Sequence, residues 1–168
     1  DVIPCPNCHA SMRPQVLAAH GTLGTVELDA CPGCRLLWFD RAESIALAPD
    51  RYDFGPADRY VELGRSHGMF VVGHVLLWHQ QTPAWVFVGE GGKKLDRETA
   101  LARLKAHVQA VAGRYKGRIG GWDVVNEALD EDGTLRKTPW MEAIGEDYIE
   151  KAFAFAREAD PEAELYYN

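Results

Sequence analysis

The hydrophobic pattern of the chain predicts several buried strands. Met69 to Trp78 is a nearly continuous apolar run, and Arg118 to Val125 is predicted as the next strand. Apolar residues at consecutive positions indicate strands that are covered on both faces. A third strand is predicted to begin at Leu165 and to include Tyr166 and Tyr167. Near the N-terminus, Thr25 to Asp29 alternates between apolar and polar residues, which is typical of a strand.

Three other segments have the periodicity or the end signals of helices. Pro56 to His67 fits a short helix, because proline is tolerated in a first turn and Gly68 provides a left-handed stop. Asp96 is predicted to cap a second helix that ends near Gly113 and carries an apolar stripe of Leu101, Leu104, Val108 and Val111. Trp140 to Ala159 is predicted as one helix, with an inner side of Ile144, Tyr148, Ala152 and Phe155.

Helices that alternate with buried strands predict parallel strand pairing through right-handed crossovers. In such sheets and barrels, ligands bind at the carboxyl ends of the strands. Three successive strand ends carry polar or aromatic residues here, which favours a common binding site more than any single residue would. These residues are His74, Trp78, His79 and Gln81 at the first end, Asn126 and Glu127 at the second, and Asn168 after the third.

The cysteines predict a zinc site near the N-terminus. They form two Cys-x-x-Cys pairs, Cys5 with Cys8 and Cys31 with Cys34. Zn²⁺ takes four tetrahedral ligands, and each pair offers two thiolates from one tight turn. Two disulfides within the pairs are the alternative. The metal could also be a structural staple only, because so small a module rarely folds without one. We expect His9 and His20 not to be ligands.

The uneven distribution of cysteine predicts two segments, residues 1–47 and residues 48–168, with a join near Ala46 to Asp50. All four cysteines lie in the first segment. The formal net charge of −7 argues against nucleic-acid binding, which depends on the neutralisation of phosphates. No apolar stretch approaches the ~20 residues of a membrane span. The sequence starts with neither a basic region nor an apolar signal core.

The first segment combines its CPNC and CPGC pairs with a further set of residues, namely Met12, Glu27 to Ala30, Trp38 to Asp40 and Glu43. In this pattern, residues 3 to about 47 resemble the small zinc ribbons of the transcription-factor-B type. The resemblance implies a zinc-binding fold and little more. A protein that binds through the ribbon is a separate hypothesis.

The second segment carries a longer series of motifs. In chain order they are YDF from Tyr52, HGM from His67, GHVLLWHQQTPAW from Gly73, WDVVNEALDEDG from Trp122, IGEDYI from Ile144 and LYYN from Leu165. In order and spacing, the region from about Arg51 to Asn168 resembles the family 10 glycoside hydrolases, the endo-β-1,4-xylanases. The resemblance implies an α/β fold that is part of a (β/α)8 barrel, about strands three to five.

By this resemblance, Glu127 is the general acid/base of a retaining hydrolysis of the xylan backbone. Asn126 would support the bound sugar and the nucleophile. Three further residues would line the subsite beside the scissile bond, and they are His74, Trp78 and Gln81. His79 is expected to support the structure, and no cofactor is expected for catalysis. The ligands of the carbohydrate site would be xylan or xylo-oligosaccharides.

Several of these residues have a plainer interpretation. A glutamate after an apolar strand is, without context, more often a solvated loop residue, and a lone tryptophan is usually part of the core. The surrounding motifs favour the site for Glu127 and Trp78. Trp122 and Trp140 are predicted to be core residues, His107 is predicted to be packed or at the surface, and residues 130–133 are predicted to form a solvated turn rather than a calcium site.

A retaining glycosidase needs a second carboxylate ~5–5.5 Å from the acid. We expect the strand that carries it to lie outside this sequence, so that the isolated chain is incomplete as an enzyme. Such a partial barrel is expected to expose two unpaired sheet edges. The alternative function is a zinc-ribbon binding or regulatory module with a vestigial carbohydrate-binding region. The indications of location conflict, because the family suggests secretion whereas zinc thiolates suggest the cytoplasm.

Overall fold

The computed structural model describes residues 5, 8–11, 13–18, 25–31, 33, 36–38, 52 and 54–168. Its strands form one sheet in the order β1 (Arg13–Ala18), β2 (Thr25–Cys31), β3 (Leu36–Trp38), β4 (Phe70–Trp78), β5 (Gly121–Asn126) and β6 (Glu164–Tyr167). The helices are α1 (Gly55–Ser66), α2 (Arg97–Arg114), α3 (Pro139–Ile144) and α4 (Tyr148–Ala159), with 3-10 turns at Ala84–Phe87 and Glu90–Gly92. Within these ranges, no helix is long and apolar enough to cross a bilayer.

The C-terminal half of the sheet has the predicted parallel arrangement. β4 pairs with β5 and β5 pairs with β6, both in parallel, and Trp122 of β5 lies opposite Gly73 of β4 and Leu165 of β6. All six residues of β5 are buried. Helices α2 and α4 pack against each other, while α2 also contacts β4 and α4 also contacts β5. The α/β prediction is therefore confirmed, because buried parallel strands alternate with helices that cover them.

The edge of the sheet at β4 was predicted to be unpaired, but β3 pairs with the first residues of β4. Leu36 lies opposite Phe70 and Leu37 lies opposite Val71, in parallel. β1 pairs with β2 and β2 pairs with β3, both antiparallel, so the N-terminal strands extend the same sheet. The expectation that the β4 edge would be wholly unpaired is wrong. The physical reason is that an open edge presents unpaired N–H and C=O groups, which an added strand can satisfy.

Helix α2 begins and packs as its sequence predicts. The side chain of Asp96 accepts a hydrogen bond from the Thr99 amide at 2.8 Å, which satisfies one of the free N–H groups of the first turn. Leu104 and Val108 have no exposed surface and Val111 is 3% exposed, so the predicted apolar stripe faces the core. The strands predicted at Thr25 to Asp29, Met69 to Trp78, Arg118 to Val125 and Leu165 to Tyr167 are likewise confirmed within a few residues.

The segment from Trp140 to Ala159 is two helices rather than the single helix predicted. Gly145 has φ 110°, a conformation that ends α3 and that residues other than glycine rarely adopt. The guanidinium of Arg97 binds both carboxylate oxygens of Asp147, at 2.8 and 2.7 Å, and also donates to the Ile144 carbonyl. The break is thus held by a residue from another helix, which helical periodicity alone does not reveal.

The tryptophans predicted as core residues are buried. Trp122 is 4% exposed and Trp140 is 5% exposed. The indole of Trp140 donates to Thr82 Oγ1 at 3.2 Å, and that hydroxyl donates to the Trp78 carbonyl at 2.6 Å. These two hydrogen bonds connect α3 to the residues that follow β4, so the loop at the end of β4 has a defined position.

His107 is partly buried and connects α2 to β4. Its Nε2 donates to the Leu76 carbonyl at 3.0 Å, and burial lowers the pKa of the imidazole. A histidine whose pKa is lower in the folded state binds its proton more readily when unfolded. Stability should therefore be fully present above the unfolded pKa of about 6.5 and should be lost as the pH falls below it.

We expect His107→Gln to flatten this pH dependence. The glutamine amide can still donate a hydrogen bond, but it does not titrate. Urea unfolding at several pH values between about pH 7 and pH 5 gives the free energy of unfolding as a function of pH. In wild type this free energy should fall more steeply than in the variant, by up to about 1.4 kcal/mol per pH unit, the value for one proton. Equal slopes in the two proteins would show that protonation of His107 is not linked to unfolding.

Candidate functional site

The carboxyl ends of β4, β5 and β6 meet at one edge of the sheet. Trp78, the last residue of β4, lies opposite Asn126, the last residue of β5. The amide of Glu127 donates to the carbonyl of Asn168 at 2.8 Å. Asn168 directly follows β6, so the end of β6 lies beside the ends of β4 and β5. The structure therefore brings together residues from the three strand ends that the sequence singled out.

Glu127 lies directly after β5, in a left-handed backbone conformation with φ 52°. Its side chain is exposed, and its carboxylate Oε2 accepts two hydrogen bonds from residues that follow or end β4. Trp78 Nε1 donates at 2.9 Å and Gln80 Nε2 donates at 3.2 Å. Both donors are uncharged, so they orient the carboxylate without forming an ion pair.

His74 is held by a buried acid on the neighbouring strand. Its Nδ1 lies 2.9 Å from Oδ2 of Asp123, and these side chains are only 11% and 6% exposed. The two residues are also paired in the register of β4 and β5. The imidazole and indole rings of His74 and Trp78 have centroids 6.3 Å apart and an interplanar angle of 57°. Asp123 thus fixes the direction of the imidazole beside Trp78.

Asn126 is buried at the end of β5, with 6% of its surface exposed. It lines a crevice that is too narrow for a water molecule, together with His79, Leu77, Val125, Thr138, Trp140 and Tyr148. Burial lowers the pKa of His79, and the positive charge of Arg136 lowers it further. The neutral imidazole is therefore favoured, and within the described part of the chain its buried Nδ1 has no hydrogen-bond partner.

Of the two adjacent glutamines, Gln80 rather than Gln81 contacts the carboxylate of Glu127. Gln81 is exposed, and no hydrogen bond joins it to Glu127 in the part of the chain that the structure describes. Sequence reasoning missed Gln80 because loop residues have no fixed period. It also missed Asp123, although an acid inside an otherwise apolar strand is itself a signal that a buried partner must exist.

The acidic segment 130–133 is an exposed turn, as predicted. The Gly133 amide donates to the Asp130 carbonyl at 2.9 Å, and Gly133 has φ 83°. Asp130 also pairs with Arg136, at 3.1 Å between Oδ1 and Nε. Asp132 holds the same turn, since its Oδ1 accepts a hydrogen bond from the Thr134 amide at 2.9 Å.

A separate cluster of thiols lies in the N-terminal part. The sulfur atoms of Cys5, Cys8 and Cys31 all lie within 4.8 Å of one another, and the Cys8 and Cys31 sulfurs are 3.5 Å apart. Cys5 and Cys31 are buried, and no disulfide joins these three cysteines to one another. Sulfurs on one tetrahedral Zn²⁺ would be about 3.8 Å apart, given Zn–S bonds of about 2.3 Å. The cluster can therefore hold a metal ion, whereas the predicted fourth ligand, Cys34, lies outside the described residues.

The two parts of the chain match two known families. Residues 4–47 match the family described as transcription factor zinc-finger, and residues 40–168 match glycosyl hydrolase family 10. A β-1,4-xylanase of Dictyoglomus thermophilum is 49% identical over 128 residues, which are 75% of this chain and 35% of the relative. The endo-1,4-β-xylanase A of Xylanibacter ruminicola is 47% identical, over 76% of this chain and 35% of the relative.

Solved structures give the same result for the fold. Xylanase XynB of Paenibacillus barcinonensis, bound to a conduramine derivative, superposes with a TM-score of 0.72 at 46% identity and covers 75% of this chain and 39% of that one. An intracellular xylanase of Thermoanaerobacterium saccharolyticum, with xylotetraose, has a TM-score of 0.71 at 42% identity, over 75% and 41% of the two chains. The sequence thus spans little more than a third of the first relatives it matches. With the family profile matched over most of its length, the chain belongs to glycosyl hydrolase family 10.

Proposed function

We propose that this chain contributes half of the active site of a retaining endo-1,4-β-xylanase, with Glu127 as the general acid/base. The observation that carries the proposal is the carboxylate of Glu127 at the carboxyl end of β5, held by the indole of Trp78. Ligands bind at this end of the strands in barrels of this type. The relatives named above support xylan or xylo-oligosaccharides as the substrate class.

In this proposal, Glu127 protonates the glycosidic oxygen as the bond to the leaving sugar breaks, and later removes a proton from the attacking water. Trp78 offers an apolar ring face for a sugar to pack on. Three polar side chains are proposed to hydrogen-bond the sugar hydroxyls, namely His74, Gln81 and Asn126. Retention of configuration also requires a nucleophilic carboxylate ~5–5.5 Å away, a role that we assign to no residue of this sequence.

The test uses both this chain and a chimera. In the chimera, residues 52–168 replace the matching third of the Dictyoglomus thermophilum relative, so that every other strand is supplied. We expect the chimera to hydrolyse xylohexaose and to release the β-anomer first, which proton NMR of the fresh products detects. A folded chimera without hydrolysis would contradict the proposal. Hydrolysis by the chain alone would show that this sequence also supplies the nucleophile.

We further propose that the thiol cluster binds one structural Zn²⁺, with Cys5, Cys8, Cys31 and Cys34 as ligands. Zinc in such a site acts as a cross-link between two turns. Cys31 lies opposite Leu36, the residue of β3 that pairs with Phe70 of β4. A metal that fixes the end of β2 would therefore also steady the strand that covers the β4 edge.

We expect Cys8→Ser to lower the zinc content from about one ion per chain to less than a tenth, because a serine hydroxyl replaces a thiolate. Plasma mass spectrometry measures the metal. Amide hydrogen exchange in the first residues of β4 should rise at the same time. His9→Gln is the matched control, since His9 is exposed beside the cluster, and it should retain its zinc. Full zinc content in Cys8→Ser would contradict the assignment.

The second candidate function is a zinc-ribbon module that contacts another protein, with a carbohydrate site that binds without hydrolysis. The pairing of β3 with β4 favours it, because the ribbon strands belong to the same sheet as the proposed sugar site. Calorimetric titration of the chain with xylohexaose distinguishes the two functions when combined with the chimera assay. Binding by the chain together with an inactive, folded chimera supports the second function.

A further inference from the structure

Three successive backbone amides at the end of β5 are bound by residues at the end of β6. The Glu127 amide donates to the Asn168 carbonyl at 2.8 Å. The amides of Ala128 and Leu129 both donate to the hydroxyl oxygen of Tyr167, each at 3.0 Å. One phenol therefore accepts hydrogen bonds from the two residues that follow the proposed acid/base.

These amides need such acceptors because the backbone leaves its strand here. Glu127 has φ 52°, a left-handed conformation that is unfavourable for a residue with a side chain unless the surroundings impose it. Ala128 is only 1% exposed, so water does not readily replace a lost acceptor for its amide. The Tyr167 hydroxyl supplies the hydrogen-bond acceptor that these two amides would otherwise lack, because the pairing of β5 with β6 has ended.

The carbonyl groups of the same segment are held separately. The Ala128 carbonyl accepts from the backbone amide of Arg136 at 2.8 Å, and the Leu129 carbonyl accepts from Nη2 of the same residue at 3.2 Å. These contacts do not involve Tyr167. Removing the phenol oxygen would therefore loosen the turn at Glu127 while the segment stays attached to the fold.

We propose that the Tyr167 hydroxyl is a positioning group, which holds the amides of Ala128 and Leu129 and so aims the Glu127 carboxylate at the indole of Trp78. The inference rests on the proposed role of Glu127 as acid/base. Tyr167 acts through the backbone and is given no contact with the substrate.

The test is Tyr167→Phe in the full chain, which keeps the ring and removes the acceptor. We expect the amides of Ala128 and Leu129 to exchange with deuterium about tenfold faster or more, because both lose a hydrogen bond. The proton resonance of the Trp78 indole N–H should move upfield, since its carboxylate acceptor is no longer held in place. The remaining protected amides should exchange as in wild type, which shows that the fold is retained.

Tyr166→Phe is the matched control, because it makes the same chemical change at the adjacent position of β6. The Tyr166 hydroxyl donates to the carboxylate of Glu164 rather than to the Glu127 segment. We expect neither measurement to change in this control. Unchanged exchange at Ala128 and Leu129 in Tyr167→Phe would overturn the inference. Faster exchange with an unchanged Trp78 resonance would also overturn it, since the hydroxyl would then hold the backbone without positioning the carboxylate.

Glu127→Gln separates this inference from the proposed function. In that variant the Trp78 resonance should move, because a neutral acceptor forms a weaker hydrogen bond than a carboxylate. The amides of Ala128 and Leu129 should remain slow, because Tyr167 is still present. If hydrolysis by the chimera does not depend on Glu127, the proposed function fails, while the exchange measurements still decide whether Tyr167 positions the segment.

Discussion

Replacing Glu127 with glutamine in the chimera is expected to lower kcat/KM on xylohexaose by about 10²–10⁴-fold, the usual contribution of general acid/base catalysis. Glutamine has nearly the same shape, and its carbonyl oxygen can still accept the hydrogen bonds of Trp78 and Gln80. What it lacks is a proton to give to the leaving oxygen. The loss should therefore appear mainly in kcat, with KM little changed.

The leaving group provides a sharper measurement of the same effect. An aryl xylobioside whose phenol ionises easily needs no proton from the enzyme, so formation of the glycosyl-enzyme should be much less affected in Glu127→Gln. Glu131→Gln is the matched control, since Glu131 is exposed in the nearby turn, and it should keep wild-type rates. An equal loss on both substrates would argue that Glu127 supports the structure rather than transferring a proton.

The second large effect is expected at Gly73, in the middle of β4. Gly73 lies opposite Trp122 on β5, and a Cβ at Gly73 would lie 2.3 Å from two carbons of the indole ring. That indole is only 4% exposed and therefore has little room to move. We expect Gly73→Ala to lower the free energy of unfolding by about 1–3 kcal/mol, as is typical of overpacking in a core.

Urea unfolding followed by tryptophan fluorescence measures this change. Gly113→Ala is the matched control, because Gly113 is in the last turn of α2 and an added Cβ there has no atom within 4 Å. Alanine also favours a helix over glycine by about 0.5–1 kcal/mol, so this control should be as stable as wild type or more so. Equal urea midpoints for Gly73→Ala and Gly113→Ala would mean that the Trp122 indole can move to make room for a side chain at residue 73.

The strands were predictable because a strand that is buried on both faces has apolar residues at consecutive positions. The apolar run at Met69 to Trp78 corresponds to β4, and the segment that ends at Val125 corresponds to β5. The helix after Asp96 was equally clear, since a capping side chain and an apolar stripe are local features. Each of these predictions depends only on residues that are neighbours along the chain.

The features that sequence reasoning missed all depend on partners far apart along the chain. The helix break at Gly145 is held by Arg97 of α2, and the β4 edge is covered by β3. The choice between Gln80 and Gln81 depends on how the loop after β4 turns toward Glu127. No local pattern records these contacts, because each is made with a partner far away along the chain.

The sequence by itself predicted which groups would meet at this edge of the sheet, because a carboxylate, an amide and aromatic groups stand at the ends of strands that are expected to be buried in parallel. It also determined that cysteine pairs near the N-terminus could meet around a metal. Only the tertiary structure decided how Glu127 is held, with its carboxylate on Trp78 and its backbone turn on Tyr167. The physical reason is that the sequence decides which groups follow each strand, whereas their direction depends on hydrogen bonds between strands that are distant in sequence.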